Sequence, residues 1–421
     1  MPHARWIVQR PTAPRQARSR SRSLSAALSA ALAALALAGA SEALARSGSP
    51  AGIASPGTSA QAARSQPKAP HRQAKGQTKP KTFIEGLHGI KTVASTIPAN
   101  GDVNPYALLV VPVSSGKLVQ GDLLVDNFND RGNDQGTGST IVQATPAGKV
   151  SLFAEISRTL PGCPGGVGLT TAMTVLADGD VIVGSAPSGD GTTKTAGAGC
   201  LIVLSPEGTV AGTIAGANID GPWDMAVTES AGTATLFVDN VMFGVGAPGQ
   251  GKVNKGTVLR IGLDVPASGM PAVISETVVA SGLTEEASSG AFVIGPTGLV
   301  LEPSGTLDVA DRVNDRIQSI PNATSRTESA GTGTVLTSGR LLKGPLGMTT
   351  APNGDLLVVN AENGKLIEIS TAGKQLGSRW LVDDAAQSPP GSGDLFGVTS
   401  APDGKGVYFV RDDNNTLDLL R

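Results

Sequence analysis

Six short apolar runs, each closing on a small polar residue, recur along the chain: Leu123-Leu-Val-Asp-Asn127, Val181-Ile-Val-Gly-Ser185, Leu236-Phe-Val-Asp-Asn240, Leu307-Asp-Val-Ala-Asp311, Leu356-Leu-Val-Val-Asn360 and Tyr408-Phe-Val-Arg-Asp412. Their last positions are 58, 55, 71, 49 and 52 residues apart. Each run is short, rich in β-branched, leucine or aromatic residues and bounded by turn residues, which predicts a strand. Tight turns precede most of them, among them Ala177-Asp-Gly-Asp180, Pro352-Asn-Gly-Asp355 and Pro402-Asp-Gly-Lys405. Asn-Gly and Asp-Gly accept the positive φ that a hairpin needs, so each run is the second strand of a hairpin. A third apolar run follows, as in Cys200-Leu-Ile-Val-Leu204 and Lys365-Leu-Ile-Glu-Ile369, then another turn and a fourth strand.

A four-stranded antiparallel unit repeated about every 55 residues is the blade of a β-propeller. Six units fill residues 83–421, which predicts an all-β, six-bladed β-propeller. The sixth unit stops at its third strand, Thr416-Leu-Asp-Leu-Leu-Arg421, and would leave an unpaired edge. Gly89-Ile-Lys-Thr-Val-Ala-Ser-Thr-Ile97 precedes the first unit and belongs to no other blade. It is expected to supply the missing outer strand and close the ring.

The fragment running from Gly298 through Leu307-Asp-Val-Ala-Asp311 to Ile317 resembles an NHL repeat, and Pro345-Leu-Gly-Met-Thr-Thr-Ala-Pro-Asn-Gly-Asp-Leu-Leu-Val-Val-Asn360 resembles a second. The resemblance implies a six-bladed propeller of a secreted type that binds a partner on one face. It specifies fold far better than function.

The N-terminus reads differently. Six arginines lie in residues 1–23, an alanine- and leucine-rich run covers 24–38, and Ala43-Leu-Ala45 follows as a small-x-small site. That order predicts a signal peptide over 1–45, too short in its apolar part to span a bilayer and lacking the Arg-Arg pair of twin-arginine export. Residues 46–82 are rich in Ser, Ala, Pro and Gln and carry seven basic residues with no acid, which predicts a disordered basic linker. The chain's net charge is −2; residues 1–82 hold 13 of its 33 basic residues and one acid, Glu42, so residues 83–421 carry −14. An acidic, secreted or cell-envelope propeller on a basic tether is the expectation. The tether either touches an anionic wall or membrane surface or is a solvated spacer. Nucleic acid is no partner for a body of that charge, and a monomer is expected. The two cysteines, Cys163 and Cys200, fall in the second unit and either pair, as export permits, or stay as buried thiols.

The second strand of each blade ends on one rim of a propeller. The candidate ligand-binding residues are therefore Asn127, Asn240, Asp311, Asn360 and Asp412, with Trp223 and Asp224 at the start of an inner strand nearby. The competing explanation is that Asn and Asp end strands by bonding local backbone. Asp311 and Asp412 are expected to be partly solvated. Long Gly-rich loops after the second strands of blades 1, 2 and 3, against short ones in blades 4 to 6, are expected to shape a cleft over the rim. An acidic rim favours a cationic or polyhydroxy ligand, or Ca²⁺ held by Asp and Asn oxygens. Six-bladed lactonases of the gluconolactonase type are similar in architecture and set a Glu, two Asn and an Asp around a divalent metal. Asn127, Asn240, Asp311 or Asp412 would stand for part of that set, which makes a metal-dependent hydrolase the alternative function. Their Glu-Gly-Pro signature is replaced here by Glu85-Gly86-Leu87. Streptogramin lyases, also similar in fold, depend on histidine, and this chain's His3, His71 and His88 all precede the blades. A protein partner or small ligand on the top face is the leading expectation.

Overall fold

The computed structural model describes residues 82–421; the signal-peptide expectation and all of the linker but Thr82 lie outside them. Six antiparallel sheets form the predicted propeller. Blade 1 comprises Val103–Val110, Leu123–Asn129, Thr140–Ala144 and Val150–Glu155, from the channel outward. Blades 2, 4 and 5 repeat this order from Leu169, Pro296 and Pro345. Each inner strand packs against the inner strands of the two neighbouring blades, and the sixth returns to the first. Outside blade 3, the second and third strands are mostly buried, as expected of sheets covered on both faces. Blade 3 departs from the repeat. Its fourth strand, Ala272–Ser288, runs 17 residues and turns back through Phe292–Ile294, a hairpin the sequence pattern did not predict.

The inner strands share one device. Each slips register against its second strand, as between Pro105 and Leu108 or between Pro222 and Met225. The slip takes backbone N–H groups out of the ladder, where burial would cost roughly 1–3 kcal/mol apiece if they stayed unpaired. Buried carboxyl groups accept them. Ala107 N donates to Asp126 Oδ1 at 2.7 Å, Asp224 N to Asp239 Oδ1 at 2.7 Å, and Leu299 N to Asp224 Oδ2 at 2.8 Å. The Val-Asp-Asn ending shared by blades 1 and 3 thus fills a backbone requirement.

Ring closure follows the expectation. Ile90–Ser95 pairs antiparallel with Thr416–Leu420, from Ile90 opposite Leu420 to Ser95 opposite Thr416, and makes the outer strand of blade 6. The ladder continues past both ends, with Gly89 N to Arg421 O at 2.8 Å and Thr96 N to Asn415 O at 2.9 Å. A second clasp precedes it. Phe83 N and Ile84 N donate to the two oxygens of Glu368 in blade 5 at 2.8 and 2.9 Å, and Ile84 and Leu87 are buried in the core.

Cys163 and Cys200 are joined in a disulfide, with Cα atoms 5.4 Å apart. It ties the loop leading into blade 2 to the start of that blade's third strand.

Two outcomes test these closures. A chain beginning at Asn100 lacks both the strand and the clasp, exposes Thr416–Leu420 as an open edge, and should melt far below the full propeller and aggregate. Thermal unfolding followed by light scattering reads this out. Denatured, unreduced protein should titrate no free thiols, and reduction should lower stability by about 3–4 kcal/mol for a bridge closing 37 residues, measured by denaturant unfolding with and without reductant.

Candidate functional site

Five aromatic rings meet inside the channel near its top. Tyr106 stacks on Phe128 with centroids 4.7 Å apart, leans on Phe396 at 4.2 Å and meets Trp223 edge-on at 5.7 Å. Phe292, brought over the channel by the blade 3 hairpin, packs on Trp223 and Phe128 at 6.3 and 5.7 Å. Phe292 is fully buried at φ +58°, a conformation that costs a non-glycine residue on the order of 1 kcal/mol and is held here by the packing. Trp223, at 1% exposure, is therefore part of this layer and not a rim anchor, which corrects the expectation for it.

The layer divides the channel. Below it lies a cavity of about 170 Å³ lined by inner-strand residues including Thr171, Asp224, Met348 and Thr399. Asp224 faces this lower chamber, not the top rim, and its carboxylate is taken by Met225 N and Leu299 N. Burial pushes Asp224 up to about 7. Burial, together with the Asp224 charge, raises its neighbour Asp239 well above the usual carboxylate range.

Above the layer lies a second cavity of about 350 Å³. Tyr106 and Phe396 form its floor. Gln135 from blade 1 and the Ser288–Ala291 hairpin turn make one wall; Arg312, Glu362, Asp412 and Asp413 make the other. The tall loops interlock behind that first wall: Gln135 Nε2 donates to Gly290 O at 3.2 Å, Ser188 N to Gly136 O at 2.8 Å, and Thr193 Oγ1 to Gly246 O at 2.9 Å. The short loops of blades 4 to 6 leave the space in front open.

Besides Trp223 and Asp224, four more of the seven sequence candidates do not line this cavity. Asn127 Nδ2 reaches Thr96 O and Thr140 Oγ1, both at 3.3 Å; Asn240 Oδ1 accepts from Asp220 N at 3.0 Å; Asn360 bridges Lys343 N and Leu341 O. Asp311 is 1% exposed and binds Arg316 Nε at 2.7 Å and Asn314 Nδ2, so the expectation that it is partly solvated is overturned. The three Asn side chains secure the linkers and turns at the strand ends, the backbone role the composition also allowed, and Asp311 braces its turn through the side chains of Asn314 and Arg316. Asp412 alone lines the upper cavity, half-buried as expected. Burial first, then Asp413 and Asp394, lift it to about 7.

Arg312 went unseen in the sequence because it lies one residue past the strand-ending Asp311 that drew attention. It makes no ion pair among the described residues, its Nε is buried without a hydrogen-bond partner, and burial lowers its pKa from the usual guanidinium value. Both Arg312 and Asp412 act on Tyr106, whose own titration burial drives upward. Asn104, at 3% exposure and φ +61°, lines the same cavity with its Oδ1 unpartnered. The other nearby cations are committed: Lys343 to Asp315 at 2.9 Å, and Arg411 between Asp394 and Asp418 at 3.8 and 3.7 Å.

Among the described residues no three of His, Cys, Asp and Glu converge as a metal-holding group. Of the set that would stand for lactonase ligands, Asn127, Asn240 and Asp311 point into blade contacts and Asp412 alone reaches the cavity. These residues do not fit Ca²⁺ or another divalent ion held in that way.

No protein-family model matches the chain, and no curated protein does. Solved structures similar in fold include virginiamycin B lyase from Staphylococcus aureus, at 16% identity and TM-score 0.43 over 76% of this chain and 81% of that one. Aldose sugar dehydrogenase from Streptomyces coelicolor matches at 15% identity and TM-score 0.46 over 79% and 98%. A gluconolactonase from Xanthomonas campestris matches at 11% and 0.47 over 80% and 91%. At such identities the likeness is one of fold alone.

Glu285 supports the hairpin that walls the cavity. It is fully buried, neither oxygen has a hydrogen-bond partner, and burial, with Asp220 adding to it, pushes it up to about 9. Because the folded value lies above the ordinary 4.5, the folded protein retains a proton that the unfolded chain releases, and stability falls as pH rises from about 4.5 toward 9. Glu285→Gln should flatten that fall. Between pH 5 and 8 the variant should gain up to about 4 kcal/mol relative to wild type, read from denaturant unfolding at both pH values.

Proposed function

We propose that this chain is a binding protein of the cell exterior or envelope, an NHL-like propeller that holds a small polar ligand in the upper channel cavity. The observation that carries this reading is Arg312. A guanidinium held in a half-buried wall, with a desolvated Nε and no close ion pair among the described residues, is costly unless a ligand completes it. Asn104 Oδ1 adds an acceptor in the same condition. The aromatic floor gives a flat apolar contact, and a cavity of about 350 Å³ is at the size of a small-molecule site. A large protein would meet the interlocked loops of blades 1 to 3 before it reached Arg312, which favours a small ligand over a protein partner. Binding is favoured over turnover because the cavity lining holds no histidine, cysteine or lysine.

A thermal-shift panel of sugars, polyols, organic acids, amino acids and nucleosides should yield at least one class that raises the melting temperature, since a ligand bound only by the folded state stabilises it. Arg312→Ala should weaken that ligand at least tenfold by calorimetry, about 1.4 kcal/mol, without lowering the melting temperature of the free protein. Affinity unchanged by Arg312→Ala but lost in Thr349→Val would move the site to the lower chamber and reject the reading.

A further inference from the structure

The upper cavity is polar in an uneven way. Its donors are gathered at Arg312, whose Nε is buried and unpartnered. Its acceptors lie farther round the ring: Glu362 from blade 5, the carboxyls of Asp412 and Asp413 just past the blade 6 second strand, and the unpartnered Asn104 Oδ1 from the start of blade 1. None of these acids forms an ion pair with Arg312. A purely anionic ligand would complete Arg312 but meet three carboxyls. A purely cationic one would satisfy the acids but leave Arg312 uncompensated. A neutral polyol would do neither in full. One ligand class answers both ends at once.

We propose that the upper cavity takes a small zwitterion, a free α-amino acid or a molecule with the same head, with its carboxylate on Arg312 and its ammonium among Asp412, Asp413 and Asn104 Oδ1. This rests on the reading of that cavity as a ligand site. The guanidinium fork matches a carboxylate with two parallel donors, and the ammonium's three N–H groups match an acceptor-rich wall. The side chain of the ligand lies over Tyr106 and Phe396, which line the floor and offer apolar ring surface. The cavity, at about 350 Å³, has room for the head and a side chain of moderate size. The zwitterion also inverts the expectation drawn from charge alone, because the body's net acidity hides one unpaired cation where the ligand binds.

The test uses the full propeller and free amino acids as probes. An equimolar pool of the twenty L-amino acids should raise the melting temperature, and single compounds then identify the best binder. Calorimetry compares that amino acid with its α-amide, which lacks the carboxylate, and its N-acetyl derivative, which lacks the ammonium. Each derivative should bind at least tenfold more weakly than the parent. Arg312→Gln should weaken the parent at least tenfold while leaving the α-amide unchanged; Asp412→Asn should weaken the parent while leaving the N-acetyl derivative unchanged. An α-amide or an N-acetyl derivative that binds as tightly as the parent overturns the zwitterion. So does a pool without effect when sugars or organic acids bind in an Arg312-dependent way, and in that case the ligand cavity stands. If nothing in the panel binds, the cavity reading falls and the zwitterion with it. Should either variant fail to fold, the comparison of the three ligands on the unaltered protein decides alone.

Discussion

Backbone hydrogen bonding at one sheet edge governs the rest of this molecule. The strand Thr416–Leu420 has its inner side paired within blade 6, and its outer side would face water but for Ile90–Ser95. Because those residues come from the other end of the chain, pairing them converts six stacked sheets into a ring. Once the ring is closed, the inner strands must converge on a single axis, and their first residues must share a narrow space at the top of the channel. That crowding brings Tyr106, Trp223 and Phe396, from blades 1, 3 and 6, into one layer with Phe128 and Phe292. The floor of the upper cavity is thus a consequence of closure as much as of the residues themselves.

Most of the fold was legible because it depends on repetition. The six apolar runs, their hairpin turns and the incomplete last unit mark blades, register and closure without knowledge of any long-range contact. The blade 3 hairpin was not legible. Its residues, Glu285 to Gly290, are polar and small and read as a loop, and only the spacing of 71 residues between Asn240 and Asp311 carried a trace of the insertion. What makes it a hairpin is tertiary: Phe292 finds the channel, and its burial outweighs a disfavoured backbone conformation.

The site was legible only in part, and for a physical reason. Strand-ending Asn and Asp serve two masters, the local backbone and the solvent, and the sequence does not say which prevails. At Asn127, Asn240 and Asn360 the backbone prevails, because each strand end lies under a crossing linker or turn, and at Asp311 the neighbouring Asn314 and Arg316 side chains take the carboxylate. At Asp412 no hydrogen bond among the described residues takes the side-chain oxygens, and the half-buried side chain reaches the cavity. Arg312 carried no sequence signal of its own; what marks it is the lack of a partner for its buried Nε, which only the fold reveals. The sum of charges over residues 83–421 suggested an acidic rim, whereas the local field in the upper cavity is that of one cation facing several carboxyls.

The order of the two N-terminal clasps bears on mechanics. Chain entering the propeller meets Glu368 before it meets Thr416–Leu420, since Phe83 and Ile84 are gripped first and Ile90–Ser95 second. Tension applied through the preceding chain therefore loads the Glu368 carboxylate and the buried Ile84 before any bond of the closing ladder is strained. Fraying also has to begin there, one clasp removed from the strand that keeps the ring shut. A propeller built this way keeps its closing strand one clasp removed from any pull on that end of the chain.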